Sequence, residues 1–141
     1  MFNFKIKYSG PNEQKIIDKP KRVLMKCMFK MEELAIQKAP FDRGTLREEI
    51  TLFPQILANE YFLTSNASYS AVMEYGSRPF YAPIKPLKEW ARRKLGDESL
   101  GYAVRAKIAD VGITAQPYMR PSLFEVKSFW LPIFSKEEFA N

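Results

Sequence analysis

The stretch Ala39-Pro40-Phe41-Asp42-Arg43-Gly44-Thr45-Leu46-Arg47 separates a helical pattern from a strand pattern. Proline lacks an N–H and disfavours the helical conformation in the residue before it, so Pro40 should end the preceding helix. The Asp42 carboxylate can accept the backbone N–H of Gly44 or Thr45, and Gly44 can adopt positive φ without steric cost. We therefore predict a turn that includes Pro40, Asp42, Gly44 and Leu46, followed by a single helical turn.

Upstream of this turn, apolar residues recur at spacings of three and four. They are Leu24, Cys27, Met28, Met31, Leu34 and Ala35. This pattern predicts an amphipathic helix over residues 20–38 that opens at Pro20. The opposite face is basic in its first half, where Lys21, Arg22 and Lys26 lie. Such a face is either solvated or a surface for acidic partners.

Downstream of the turn, residues 50–57 and 60–65 are rich in β-branched and aromatic types around Ala58-Asn59. They predict a hairpin in which Pro54 restricts its strand to an edge or a bulge. Residues 2–8 alternate apolar and polar side chains, so we expect residues 1–10 to form an arm or an edge strand.

Short helical patterns fill the rest of the chain. We expect a helix that ends at Gly76, one from Pro86 to Gly96, one from Asp97 to Gly112, one that opens at Pro121, and a tail over residues 132–141 with a frayed turn at 135–139. The residues expected to face inward are Tyr69, Val72, Met73, Leu87, Trp90, Ala91, Leu95, Leu100, Ala103, Val104, Ile108 and Val111. The predicted fold class is α+β, a small and mostly antiparallel sheet packed by a long N-terminal helix and several short C-terminal helices.

Length and composition favour one domain over residues 1–141, because 141 residues of 46% hydrophobic composition can bury one core. The chain has one cysteine, Cys27, and no histidine, which excludes an internal disulfide and histidine-based metal or catalytic sites. We predict no catalytic residues, no cofactor and no metal. No segment has the pattern of a membrane span or a signal peptide, so we expect the protein to stay in the cytoplasm in which it is made.

The net charge of +6 is unevenly distributed. Residues 1–47 carry +6, residues 48–84 carry −3, residues 85–120 carry +4 and residues 121–141 carry −1. Two basic blocks therefore flank an acidic one. This alternation suits subunits that meet with opposite charges facing, although a scattered solvated surface has the same pattern.

Two further strings follow the turn in order. They are Asn66-Ala67-Ser68-Tyr69-Ser70-Ala71-Val72-Met73-Glu74-Tyr75-Gly76-Ser77 and Gly112-Ile113-Thr114-Ala115-Gln116-Pro117-Tyr118-Met119-Arg120-Pro121. With the turn, they resemble the tail-completion (head-to-tail joining) family of long-tailed bacteriophages over roughly residues 20–131. That family has the patterns Ala-Pro-x-Asp-x-Gly-x-Leu-Arg, Asn-x-x-Tyr-Ala-x-x-x-Glu-x-Gly-Thr and Pro-Phe-x-x-Pro. The chain departs from them at Arg43 (usually Thr), Ser70 (Ala), Ser77 (Thr) and Tyr118 (Phe).

The resemblance implies a virion protein of the neck that forms a ring between the capsid connector and the tail. Its partners would be other copies of itself, head connector or stopper proteins, tail terminator or tail-tube proteins, and the double-stranded DNA that passes through. Family analogy favours a hexamer over a dodecamer. The protein would occupy the host cytoplasm during assembly and contact no membrane.

Three groups of residues are candidates for these roles. Gly76, Pro117 and Pro121 join Pro40, Asp42, Gly44 and Leu46 as turn residues. The candidate subunit interface is Arg43, Arg47, Glu74, Arg78, Phe80, Tyr81 and Arg120. The candidate channel-facing residues are Glu48, Glu49 and Glu60, with Lys88, Arg92 and Arg93 as the competing set.

Several alternatives stay open at the level of sequence. Arg47 either bridges to a neighbouring subunit's carboxylate or pairs within its own turn. Glu74 either contacts a subunit or has a structural hydrogen-bonding role. The alternative to a ring protein is a stand-alone basic nucleic-acid-binding domain, which would need basic and aromatic residues concentrated on one face.

Overall fold

The computed structural model describes residues 2–5, 13–55 and 60–140. The chain forms two compact units, one from Met1–Ser70 with Pro117–Asn141 and one from Ala71–Gln116. We call them the sheet unit and the helical-hairpin unit. The single domain expected over residues 1–141 stays a prediction.

Helix α1 spans Glu13–Lys38 and contains Pro20 in its interior. The predicted start at Pro20 was therefore wrong. A proline keeps a helical φ, and its missing N–H removes one hydrogen bond without ending the helix. The predicted apolar stripe is confirmed, since its six members are all buried. The helix ends at Lys38, two residues before Pro40, as the sequence predicted.

The sheet has three antiparallel strands in the order β1-β3-β2, with β1 at Phe2–Lys5, β2 at Ile50–Gln55 and β3 at Glu60–Ser65. Leu63, at the centre of β3, pairs with Phe2 on one side and Leu52 on the other. The α+β class and the hairpin are confirmed. β1 is an edge strand, while residues 6–10 of the predicted arm and the Ala58-Asn59 turn lie outside the described residues.

The outer edge of β2 is closed by its own chain. The Leu52 N–H donates to Glu32 Oε1 of α1 at 3.1 Å. Backbone groups alternate in direction along a strand, so Pro54 points the same way as Leu52 and has no N–H to offer. The prediction that Pro54 lies in an edge strand is confirmed, and this edge is protected against addition of another strand.

The C-terminal helix is continuous. It begins as α6 at Met119–Glu125, widens into a π-helical turn at Val126–Trp130 and continues as α7 at Leu131–Phe139. The predicted start at Pro121 was wrong, because α6 begins two residues earlier and Pro121 lies in its first turn, where N–H groups have no intrahelical acceptor. The predicted interruption at Pro132 was also wrong, because the π-helical turn just before Pro132 accommodates the proline and the helix continues past it. Residues 131–139, which include the expected frayed turn, are helical and pack along α1.

The core of the sheet unit lies between α1, the sheet and the C-terminal helix. Its most deeply buried side chains include Met28, Met31, Leu63 and Tyr118. Ser122 is also buried, and its hydroxyl donates to the Tyr118 carbonyl at 2.6 Å. An apolar cavity of about 320 Å³ remains between α1 and the C-terminal helix. Cys27 lines it, and burial raises the pKa of its thiol, which favours the unreactive protonated form.

The helical-hairpin unit contains α4 at Ile84–Leu95 and α5 at Leu100–Val111, preceded by α3, which runs from Ser70 to Tyr75. α4 begins two residues before the predicted Pro86, because Pro83 is extended and caps it. α5 begins after the predicted Asp97, whose carboxylate accepts the Ser99 N–H at 2.8 Å. α4 and α5 approach closely at Gly101, where a Cβ would lie 2.8 Å from the Lys88 backbone.

Several residues expected to face inward are exposed instead. Ala91 and Ile108 are buried as predicted. The prediction was wrong for Tyr69, Leu95, Leu100, Ala103 and Val111. Helical periodicity identifies an apolar stripe correctly, but it does not say whether the same chain or another molecule covers that stripe.

Candidate assembly surfaces

The first motif forms a turn that is held by its own side chains. Gly44 has φ 96°, the left-handed conformation that the sequence predicted, and it caps helix α2 at Thr45–Glu48. Leu46 is buried beside it. Arg47 Nε donates to the Ala39 carbonyl at 3.0 Å, which ties the turn to the end of α1. The Arg47 guanidinium also lies 5.1 Å from the Phe41 ring centre.

These contacts favour the intramolecular alternative for Arg47. Its side chain is half-buried, and its hydrogen bond stays within the turn. Arg43, the departure from the family pattern within the first string, is exposed together with Asp42. Phe41 is 58% exposed despite its size. The turn is therefore tied to the end of α1 and exposes an aromatic and a charged side chain.

The second and third motifs meet at two glycines. Gly76 has φ 77° and Gly112 has φ 78°. The Ser77 N–H donates to the Ile113 carbonyl at 2.9 Å, and the Ile113 N–H donates to Ser77 Oγ at 3.0 Å. A Cβ at Gly112 would overlap the Ser77 carbonyl oxygen, so no other residue fits there. The Gln116 N–H donates to the Met73 carbonyl at 2.7 Å and extends this pairing.

The same motifs also meet in the sheet unit. Tyr118 is fully buried, and its phenol hydroxyl lies 3.1 Å from Ser70 Oγ as a hydrogen-bond donor. Both residues are departures from the family pattern, which has Phe and Ala at these positions. Each departure adds a hydroxyl, and the two hydroxyls bond to each other. Pro117 precedes this contact and Pro121 lies in the first turn of α6, which places the predicted turn residues at one helix start.

The remaining candidate interface residues differ in exposure. Glu74 is 4% exposed, so the structural alternative is favoured over a subunit contact. Phe80 is 42% exposed and Tyr81 is 78% exposed. Arg78 and Arg120 are exposed as well. Phe80 and Tyr81 stay the strongest interface candidates of the set, because exposed aromatic side chains are typical anchors of protein contacts.

The candidate channel-facing carboxylates do not form a cluster. Glu48 and Glu49 precede the first residue of β2, whereas Glu60 pairs with Gln55 at its other end. Five residues of strand separate these ends by about 17 Å. The acidic surface expected around the hairpin is therefore divided between its two ends.

The competing cations are placed differently. Lys88 Nζ lies 5.8 Å from the Tyr102 ring centre and 3.2 Å from Glu98 Oε1. Arg92 and Arg93 are exposed near the end of α4. Sequence reasoning missed Tyr102 and Arg105, whose spacing of three places them on one face of α5. That spacing in the sequence could have identified Tyr102 and Arg105 as neighbours on one helix face.

The basic face of α1 is neutralised by the C-terminal helix. Glu138 of α7 pairs with Arg22 and Lys26, and Glu125 of α6 pairs with Lys38. The hydrogen bond from Arg22 lowers the pKa of Glu138, and that from Lys38 lowers the pKa of Glu125. Arg22 and Lys26 of this face thus have ion-pair partners within the chain.

Within the described residues, no group of three His, Cys, Asp or Glu side chains could hold a metal ion. None of the described helices is both long enough and apolar enough to cross a membrane. Comparison with family models, curated proteins and solved structures finds no match to this chain.

Proposed function

We propose that this chain is a structural protein of the bacteriophage neck that assembles into a ring between the head connector and the tail and leaves a channel for DNA. The observation that carries the proposal is the exposure of aromatic side chains in and beside the first two motifs. Phe41 is 58% exposed, Tyr75 63% and Tyr81 78%. Large apolar groups that are exposed to water are typical of surfaces that another protein covers.

The contacts between motifs support the same proposal. The second and third strings are distant in sequence, yet they pair through Gly76, Ser77 and Gly112. Ser77, where the family pattern has Thr, still uses its hydroxyl to accept the Ile113 N–H. The departures at Ser70 and Tyr118 compensate each other. The second and third strings thus have a shared structural role, which chance occurrences of Gly and Pro would not require.

A ring requires heterologous contacts, in which one face of each subunit complements a different face of the next. We propose that the loop around Phe80 and Tyr81 supplies one such face. A hexamer is favoured over a dodecamer by family analogy alone. The other partners would be the connector or stopper proteins on the head side and the terminator or tube proteins on the tail side.

The test is the size of the purified protein as a function of concentration, measured by light scattering after gel filtration. We expect a shift from monomer to one closed oligomer with rising concentration. The double variant Phe80→Ser/Tyr81→Ser should stay monomeric, while Leu95→Ser, which changes an exposed side chain outside the motifs, should assemble normally. Phage particles made without the protein should accumulate as separate filled heads and tails. A wild-type protein that stays monomeric at every concentration would contradict the proposal.

A stand-alone nucleic-acid-binding domain is the second candidate, favoured by the contacts of Lys88 and Arg105 with Tyr102. It predicts a monomer whose size changes only when DNA is added. The same gel filtration, repeated with DNA at two salt concentrations, separates the two functions.

A further inference from the structure

We propose that one surface of the α4–α5 hairpin contacts the phosphate backbone of DNA directly and weakly. The surface, which we call the basic–aromatic stripe, consists of Lys85, Lys88, Arg92, Tyr102 and Arg105, and Tyr81 of the proposed subunit contact borders it at Arg105. This inference rests on the proposed function, which requires DNA to pass the protein, and it identifies the residues that meet the DNA.

A chain of contacts makes the stripe continuous. The Arg105 guanidinium lies 5.1 Å from the Tyr81 ring centre and 5.5 Å from that of Tyr102. Lys88 Nζ lies 5.8 Å from the ring centre of Tyr102. Both tyrosines are more than half exposed, so their rings support the cations without covering them. A guanidinium held over an aromatic face keeps its N–H edge available for an oxygen ligand such as phosphate.

Helix α4 extends the stripe in both directions. Lys85, Lys88 and Arg92 have spacings of three and four, which place them on one side of the helix. With a rise of 1.5 Å per residue, the outer two are about 10 Å apart along the axis. The cations therefore form a line, whereas a pocket for one acidic side chain would gather them around a point.

The charge of the unit fits a weak contact with a polyanion. Residues 71–116 contain eight Lys and Arg against five Asp and Glu, a net charge of +3. Glu98 lies 3.2 Å from Lys88 and offsets part of the positive charge of the stripe. DNA that must move through a channel is better served by such a partly compensated surface than by a strongly basic one.

The stripe also replaces the carboxylates as the surface expected to face DNA. Glu48 and Glu60 lie at opposite ends of β2, so they do not form one cluster of carboxylates on a subunit. Lys88 and Arg92, from the competing set, share the stripe with Tyr102 and Arg105. Arg93 follows Arg92 by one residue and so points about 100° away around the helix.

The test is fluorescence anisotropy of a labelled 30-base-pair duplex of random sequence, titrated with the full chain at several salt concentrations. We expect weak binding whose dissociation constant rises with salt. Lys88→Gln, Arg92→Gln and Arg105→Gln should each weaken binding several-fold and reduce the slope of log Kd against log salt by about one. Tyr102→Ala should weaken binding with a smaller change of slope.

Lys107→Gln is the matched control, because Lys107 is exposed on the same helix but about 160° around its axis from Arg105. Lys107→Gln should change the dissociation constant for DNA by no more than about twofold, because it lowers the net charge without removing a contact of the stripe. Circular dichroism of each variant verifies that the helices are intact. Equal binding by the stripe variants and wild type would overturn the inference.

Two further outcomes separate this inference from the proposed function. If the stripe variants lose ring assembly while their DNA affinity is unchanged, the stripe contacts an acidic protein surface and the inference is wrong. If wild-type protein binds DNA through the stripe but phage lacking the protein still joins heads to tails, the neck function is wrong and the stripe stands.

Discussion

The two units of this protein bury their apolar residues to different extents. The sheet unit has a core of long side chains that includes Met28, Met31 and Leu63, each at most 1% exposed. In the helical-hairpin unit the buried apolar residues among those described are Ala82, Ala91 and Ile108, while Tyr81, Tyr102 and Val111 are more than half exposed. Burial of large apolar groups stabilises a fold, so the first unit has its own core. The second has fewer buried apolar side chains, and several of its large side chains are exposed.

The largest expected effect concerns the backbone of the helical-hairpin unit. Gly112 has φ 78° and ψ −163°, a conformation essentially limited to glycine, and a Cβ there would overlap the Ser77 carbonyl oxygen. Gly112→Ala should lower the free energy of unfolding by about 4 kcal/mol, from strain and overlap together. Urea unfolding measures this loss.

Gly96→Ala is the control for that experiment. Gly96 has a similar φ of 79°, but nothing lies within 4 Å of an added Cβ. Only the backbone cost of about 1 kcal/mol should remain. Equal losses of unfolding free energy for the two variants would show that the backbone at Gly112 does not lie close to Ser77.

A core substitution should show the contrasting behaviour of the sheet unit. Met31 is fully buried in α1, and Met31→Ala should cost about 3 kcal/mol through lost burial and the cavity it leaves. Met25, which is 39% exposed on the same helix, provides the control, and its replacement by Ala should cost less than about 1 kcal/mol. Similar losses at the two positions, measured by urea unfolding, would mean that the core is elsewhere.

The hydroxyl pair of Ser70 and Tyr118 allows a double-mutant cycle. Tyr118→Phe should cost about 1 kcal/mol, because it removes a partly buried hydrogen bond. The same change in a Ser70→Ala background should cost less, since that partner is already absent. Thermal unfolding of the four proteins gives the coupling energy. Strict additivity would show that the two departures from the family pattern are independent.

Acid should weaken the contact between α1 and the C-terminal helix. Hydrogen bonds from Arg22 and Lys38 lower the pKa values of Glu138 and Glu125 below their usual range. A lowered folded-state pKa gives stability that is present above the unfolded pKa of about 4.3 and is lost as pH falls through the folded pKa.

The expected result is a fall in unfolding temperature between about pH 5 and pH 3 that is shallower in Glu138→Gln. Glu137→Gln is the matched control, because its carboxylate is more exposed and lies 3.7 Å from Lys26. It should retain most of the wild-type acid sensitivity. An identical pH profile in wild type and Glu138→Gln would show that the Glu138 ion pairs do not cause the acid sensitivity.

The features that could be predicted from the sequence are those that depend on residues close together along the chain. The stripe of α1, the end of that helix before Pro40 and the positive φ of Gly44 and Gly76 follow from local chemistry, and all are confirmed. The predicted helix starts were less accurate, because a proline is tolerated anywhere in the first turn and, at Pro20, even further inside.

Contacts between distant residues could not be predicted in this way. The pairing of Arg22 with Glu138 joins residues more than one hundred positions apart, and no pattern around either residue indicates the other. Leu100 and Val111 illustrate a second limit, since their spacing predicts an apolar face but not its partner. The basic–aromatic stripe was missed for a related reason, because α4 and α5 each contribute only part of it.

The most direct test of the difference between the units is hydrogen–deuterium exchange of the monomer and of the assembled oligomer, resolved by peptide. The account predicts that assembly slows exchange in residues 76–83, around Phe80 and Tyr81, and leaves residues 20–38 of α1 unchanged. Slower exchange in α1 with no change in residues 76–83 would contradict it.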